Sequence, residues 1–195
     1  MADTGTRQIT GVILAGGRGQ RMGGVDKGLQ MLHGKPLVAH VLERLQPQVS
    51  RVVINANRNT GQYEKFGHPV IADLVTDYVG PLAGLHAALS AATTDLVLTV
   101  PCDSPYLPHD LASRLLAAIN IGATQIAVAS VDAQTQPVFC LARQHVVASL
   151  ADYLAAGGRK MNDWQSSLQV RYVDFGDQAE AFRNINSATD LALFG

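Results

Sequence analysis

The stretch ITGVILAGGRGQRMGGVDKG, Ile9 to Gly28, joins a β-branched run to a glycine-rich ribbon, and this junction decides the fold. Ile9–Leu14 reads as a strand. From Leu14 to Gly28 come six of the chain's 18 glycines. Glycine loses much backbone freedom on folding, so this density marks a chain that approaches something closely. Arg18, Arg21 and Lys27 stand in the ribbon against Asp26 alone, while the whole chain carries a net charge of −1. A strand that ends in such a loop presents a ligand site beyond the carboxyl edge of an open α/β sheet.

Working outward, strands and helices alternate. His33-Gly34-Lys35 reads as a turn, with Pro36 at the first position of a helix that carries Leu37, Val38, Val41, Leu42 and Leu45 on one face. Strands follow at Arg51–Ala56 and Pro69–Ala72, with a short polar helix around Tyr63 and Phe66 between them. Pro81 opens another helix. Leu96–Val100 is apolar almost throughout, as in a central parallel strand covered on both faces, and runs into Pro101-Cys102-Asp103. A helix from Pro108 to Ile119 precedes strands at Ile126–Val131 and Val138–Leu141. A further helix is stopped by Gly157-Gly158, and a strand at Val170–Asp174 and a terminal helix complete the pattern. This alternation predicts a three-layer α/β/α sandwich around a mostly parallel, Rossmann-like sheet. The strand ends carry the glycine loop, Asn55-Ala56-Asn57, Asp73 and Asp103.

Composition narrows the class. The 195 residues suit one domain, and one of that size buries roughly 70% of its unfolded surface. With 47% hydrophobic and 16% charged residues the chain is neither disordered nor a coiled coil. Near-neutral charge argues against a nucleic-acid or membrane surface, so electrostatic attraction is local to the loop. Cys102 and Cys140 lie in apolar stretches and read as buried thiols of a reducing compartment. The N-terminal MADTGTRQ has no apolar core, and no run approaches the ~18–20 residues of a membrane span, so a cytoplasmic location is expected.

Two familiar phosphate motifs fail on the loop. A Walker A loop requires a hydroxyl residue after its lysine, and Gly28 follows Lys27. A dinucleotide fingerprint requires a third glycine where Met22 stands, and an acid where the second strand ends in Asn55. What remains is a backbone cradle for an anion, neutralised by arginine forks and a lysine point charge. A triphosphate fits it; a solvent-exposed turn would need only two or three special residues.

LAGGRGQRMGGVDKG resembles the signature of nucleotidyltransferases that build nucleoside-diphosphate-linked products. With VVINAN (Val52–Asn57), GPLAGL (Gly80–Leu85), PCDSPYLP (Pro101–Pro108) and FRNINSATDL (Phe182–Leu191) in order, it resembles the molybdenum cofactor guanylyltransferases in particular. The resemblance implies a nucleotide-diphospho-sugar transferase type of fold, with a nucleotide-binding part over 9–103 and an acceptor-binding part over 104–195. It implies GTP as substrate, molybdopterin (or Mo-molybdopterin) as acceptor and Mg²⁺ as cofactor. It also implies a cytoplasmic monomer that makes transient contacts with cofactor-synthesis proteins, target molybdoenzymes or their chaperones, with no nucleic acid or membrane partner. A cytidylyl or sugar-phosphate transferase, and a nucleotide-binding regulator without turnover, stay open on the spacing alone.

The same resemblance distributes roles. Lys27 and Arg21 neutralise the phosphates, with the Gly16 and Gly17 amides cradling them; Arg18 is equally a solvated side chain. Asp103 holds the metal or, alternatively, caps its own turn. Leu14, Ala15, Asn55 and Asp73 match nucleoside-contacting positions; Asn55 would otherwise cap a strand end, and Asp73 would otherwise orient Lys27. Gly24 and Gly84 match positions that admit the acceptor, Gly84 being alternatively a helix-packing residue. Asn184 and Asn186 match the pterin-side pair, with helix capping ahead of Ser187 as the structural alternative. The six histidines show no metal spacing. Gly158-Arg159-Lys160 reads either as an acceptor-side segment or as a solvated helix end, and Trp164 as core or rim packing.

Overall fold

The computed structural model describes residues 8–16, 26–75 and 80–185. Its strands are β1 (Ile9–Leu14), β2 (Met31–Leu32), β3 (Lys35–Pro36), β4 (Arg51–Asn55), β5 (Val70–Ile71), β6 (Leu96–Pro101), β7 (Ile126–Val131), β8 (Gln134–Arg143) and β9 (Val170–Asp174). Its helices are α1 (Leu37–Leu45), α2 (Thr60–Tyr63), α3 (Pro81–Ala91), α4 (Leu111–Ile119), α5 (Val147–Ala155) and α6 (Met161–Ser166). Seven strands form one sheet in the order β5-β4-β1-β6-β8-β7-β9. Strand β8 runs antiparallel to both neighbours, whereas β1 with β4, β1 with β6, β4 with β5 and β7 with β9 are parallel pairs.

Alternation along the strands builds the three layers. Ile9 and Ile13 of β1, with Leu96, Leu98 and Val100 of β6, pack against Val38, Val41 and Leu45 of α1 and Leu111 and Leu115 of α4. Val12 and Val97 point the other way, to Leu85 and Leu89 of α3, Leu150 of α5 and Trp164 of α6. Trp164 is wholly buried, in keeping with core packing, and both cysteines are buried free thiols. Among the described residues no helix is long and apolar enough to cross a membrane.

The structure corrects the reading of Pro36. This residue pairs with Met31 across the β2–β3 hairpin, whose turn residues His33 and Gly34 have φ of 49° and 75°, and α1 begins only at Leu37. Likewise α4 starts at Leu111 rather than Pro108, because Gln48 reaches across and its side-chain oxygen accepts from the Ala112 amide at 3.0 Å. Strand β8 is longer than Val138–Leu141 because it contains a bulge. Cys140 faces Val128, yet the next β7 residue, Ala129, faces Gln136. Pro137 brings no N–H to the ladder there, as is common at bulges. The stranded carbonyls find side chains: Thr99 Oγ1 donates to Val138 O at 2.6 Å, and buried Gln165 donates to Pro137 O at 2.9 Å. Beyond β9 the described chain forms a 3₁₀ segment, Gly176–Phe182; residues from 186 onward, where the terminal helix is expected, lie outside the described residues.

Candidate active site

Register levels the strand ends. Leu14 faces Asn55 on one side and Pro101 on the other, and Asn55 faces Ile71. The residues that follow, Ala15-Gly16, Asn57, Asp73 and Asp103, therefore emerge along one edge of the sheet.

Two polar assemblies stand on this edge. At the end of β6, Lys27 Nζ donates to Asp103 Oδ2 at 3.2 Å. The lysine side chain is 33% exposed and the aspartate side chain 12%, so the pair is open to a ligand yet partly shielded from water. At the end of β4, Asn55 and Asn57 hold Asp73. Asn55 Nδ2 donates to Asp73 Oδ1 at 2.9 Å and Asn57 Nδ2 to Asp73 Oδ2 at 2.7 Å, while Asn57 Oδ1 accepts from the Asp73 amide at 2.8 Å. Asn57 also donates to Gly16 O at 3.3 Å, tying the web to the start of the glycine loop. Asp73 thus orients the two asparagines, not Lys27; Lys27 is oriented by Asp103.

Close packing fixes both assemblies. A Cβ on Gly84 of α3 would stand 2.4 Å from Asn55 Oδ1 and 2.9 Å from Leu14 Cδ2. The structure places Gly84 directly against Asn55 and Leu14. A Cβ on Gly28 would stand 2.5 Å from the Tyr63 hydroxyl oxygen and 3.3 Å from Cys102 Cβ. Just before it, Asp26 accepts from the Tyr63 hydroxyl on Oδ1 and from Asn59 Nδ2, at 3.0 Å, on Oδ2. Burial, then the charges of Cys102 and Asp26, push the Tyr63 hydroxyl far above its ordinary range, so it stays a donor.

The C-terminal approach crosses the same edge. The Ile185 amide donates to Asp103 O at 2.8 Å, and Ser104 Oγ donates to Asn184 Oδ1 at 2.5 Å. Ile185 is buried with Leu32 and Leu37, with Tyr106 packed against them. Asn184 therefore stands beside Asp103, 81 residues away in sequence, which no local pattern reveals.

Of the sequence candidates, Leu14, Ala15, Gly16, Lys27, Asn55, Asp73, Asp103, Gly84 and Asn184 are brought to this edge. Gly17, Arg21, Gly24 and Asn186 lie outside the described residues, as does Arg18. Sequence reasoning gave no role to Asn57, Asn59, Tyr63 or Ser104. The two amides of Asn55-Ala56-Asn57, where β4 ends at the carboxyl edge, were the available signal.

Neither thiol is set up as a nucleophile. Burial pushes Cys140 up to about 11, and burial with the Asp103 and Asp26 charges pushes Cys102 higher still. Ser104 is engaged by Asn184. Among the described residues no cluster of three or more His, Cys, Asp or Glu could hold a metal by itself. One carboxylate, Asp103, fits an ion that completes its shell with substrate oxygens and water.

Residues 11–170 match the family described as the MobA-like NTP transferase domain. The molybdenum cofactor guanylyltransferase of Cupriavidus taiwanensis is 50% identical over 188 residues, 94% of each chain. The corresponding protein of Cupriavidus metallidurans is 51% identical over 190 residues, 95% of this chain and 93% of that one. Among solved structures, molybdopterin-guanine dinucleotide biosynthesis protein A from Archaeoglobus fulgidus superposes with a TM-score of 0.78 at 26% identity, over 95% of this chain and 96% of that one. A 4-diphosphocytidyl-2C-methyl-D-erythritol synthase from Anaerococcus prevotii shares the fold, with a TM-score of 0.71 at 13% identity and 96% of each chain covered. The seven-stranded sheet with its site beyond the carboxyl edge is that of a nucleotidyltransferase. The chain belongs to the MobA-like NTP transferase family.

Proposed function

We propose that the chain transfers GMP from GTP to the phosphate of molybdopterin, giving molybdopterin guanine dinucleotide and pyrophosphate. The observation that carries this reading is the Lys27–Asp103 pair at the exit of the glycine loop, in a chain half-identical over nearly its whole length to guanylyltransferases. An acceptor phosphate oxygen attacks the α-phosphorus of GTP, the bond to the β-phosphate oxygen breaks, and pyrophosphate leaves. A phosphate monoester is mostly dianionic at neutral pH, its second pKa being about 6, so no general base is needed. Positioning and charge neutralisation then supply the rate enhancement.

Lys27 neutralises the phosphates, with Arg21 and the Gly16 and Gly17 amides as further donors. The Asn55–Asp73–Asn57 web orients the nucleoside next to Leu14 and Ala15. Asp103 would hold Mg²⁺ together with phosphate oxygens, and the ion would polarise those oxygens. Asn184, beside Asp103, would meet the acceptor in the 104–195 part of the chain; Gly24, Gly84 and Asn186 are assigned to the acceptor by the resemblance of their motifs.

Incubation with Mg²⁺, one NTP at a time and molybdopterin should release pyrophosphate and form a dinucleotide with GTP. A product formed with CTP instead would reassign the base, and no product with any NTP would overturn the reading.

A further inference from the structure

Lys27 is the cation the described site turns on, and both its sequence neighbours are engaged by one side chain. On one side, Tyr63 donates its hydroxyl hydrogen to Asp26 Oδ1. On the other, Gly28 packs so tightly beneath that hydroxyl that an added Cβ would stand 2.5 Å from its oxygen. The second oxygen of Asp26 accepts from Asn59, whose backbone adopts φ 51°, a left-handed conformation that asparagine tolerates better than most residues. Asn59 precedes the four-residue helix α2, whose last residue is the wholly buried Tyr63. The Asp26 carboxylate is thus held by two neutral donors from one short segment, and the next residue places its ammonium on Asp103.

We propose that Tyr63, acting through Asp26 and Gly28, is a positioning residue for Lys27, clasping the lysine backbone so that its ammonium meets Asp103 and the transferred phosphates in register. The inference rests on the nucleotidyl transfer proposed above for its kinetic consequence, though not for its geometric one. Tyr63 itself touches no substrate. Phenylalanine at this position would fill the same buried volume and remove only the clasp. Misplacement of a catalytic group by about 1 Å is enough for a loss of order 10²-fold.

Two readouts separate the clasp from the reaction. The first is the rate at which acetic anhydride labels Lys27, followed by peptide mass spectrometry and normalised to exposed Lys65. In Tyr63→Phe this ratio should rise about threefold, the range expected for one lost hydrogen bond. An unchanged ratio overturns the proposal whether or not the chain transfers GMP. The second is pyrophosphate release from GTP and molybdopterin. Tyr63→Phe should lower kcat roughly 10- to 100-fold, and in a Lys27→Ala background the same change should alter kcat less than about twofold, since coupled residues are not additive. Equal losses in both backgrounds would mean a general structural role and overturn the proposal. Asp26→Asn, which keeps an acceptor for Tyr63, should lose less activity than Asp26→Ala; the reverse order also overturns it. A wild-type chain without transfer activity but with the labelling shift would overturn the reaction and leave the clasp standing.

Discussion

The two polar assemblies on the carboxyl edge are built from opposite materials. At the end of β6 a full positive and a full negative charge meet at 3.2 Å. At the end of β4 a carboxylate is held by two neutral amides, each contact directional and short. The first arrangement suits a ligand whose own charge is large and whose orientation is fixed elsewhere. The second suits recognition, because amides offer a donor and an acceptor with defined geometry. An ion pair and an amide web thus stand apart along one row of strand ends, with the start of the glycine loop lying between them.

Variants on each side should fail differently. Asp103→Asn keeps the shape and removes the charge, so kcat should fall by ~10²–10³-fold. Because the lysine partner is one-third exposed and asparagine still offers it an acceptor oxygen, its Tm should move by less than about 4 °C. A large drop in Tm with unchanged kcat would assign the pair to folding instead. Gly84→Ala strikes the amide web from below. Its Cβ would force Asn55 and Leu14 aside, raising KM for GTP ~10-fold and destabilising by ~1–3 kcal/mol. Gly61→Ala is the control, since nothing lies within 4 Å of a Cβ there and the change should be neutral or stabilising. Among the site variants the smallest effect belongs to Asn57→Ala, which removes a donor to Asp73, the acceptor of the Asp73 amide and the tie to Gly16; steady-state kinetics should show KM for GTP raised about 3- to 10-fold with kcat nearly constant. A loss in kcat alone would erase the division between the two assemblies.

Periodicity and strand ends made much of this edge legible. The apolar run at Leu96–Val100 located the central strand, and the β-branched run before the glycines located its neighbour. The direction of β8 was not legible. Its hairpin turns through Asp132 and Ala133, at φ 49° and 64°, positions usually marked by Asn-Gly or Asp-Gly, and here the second has no glycine. Pro137 further disguised the strand, because a proline inside a run argues against sheet unless a bulge receives it. The Lys27–Asp103 pairing joins residues 76 apart and the Tyr63–Asp26 bond residues 37 apart. Such contacts are set by tertiary packing and leave no mark on local spacing.

Both margins of the glycine ribbon are secured to a single nine-residue stretch of chain. Ala15 donates to Asn55 O at 2.8 Å and Gly16 accepts from Asn57, while Asp26 accepts from Asn59 and Tyr63. Loop-closure entropy rises only logarithmically with length, about 0.6 kcal/mol for a doubling. A change in the number of residues between Gly16 and Asp26 would therefore cost little closure entropy, while the hydrogen bonds at both margins hold to the same nine residues.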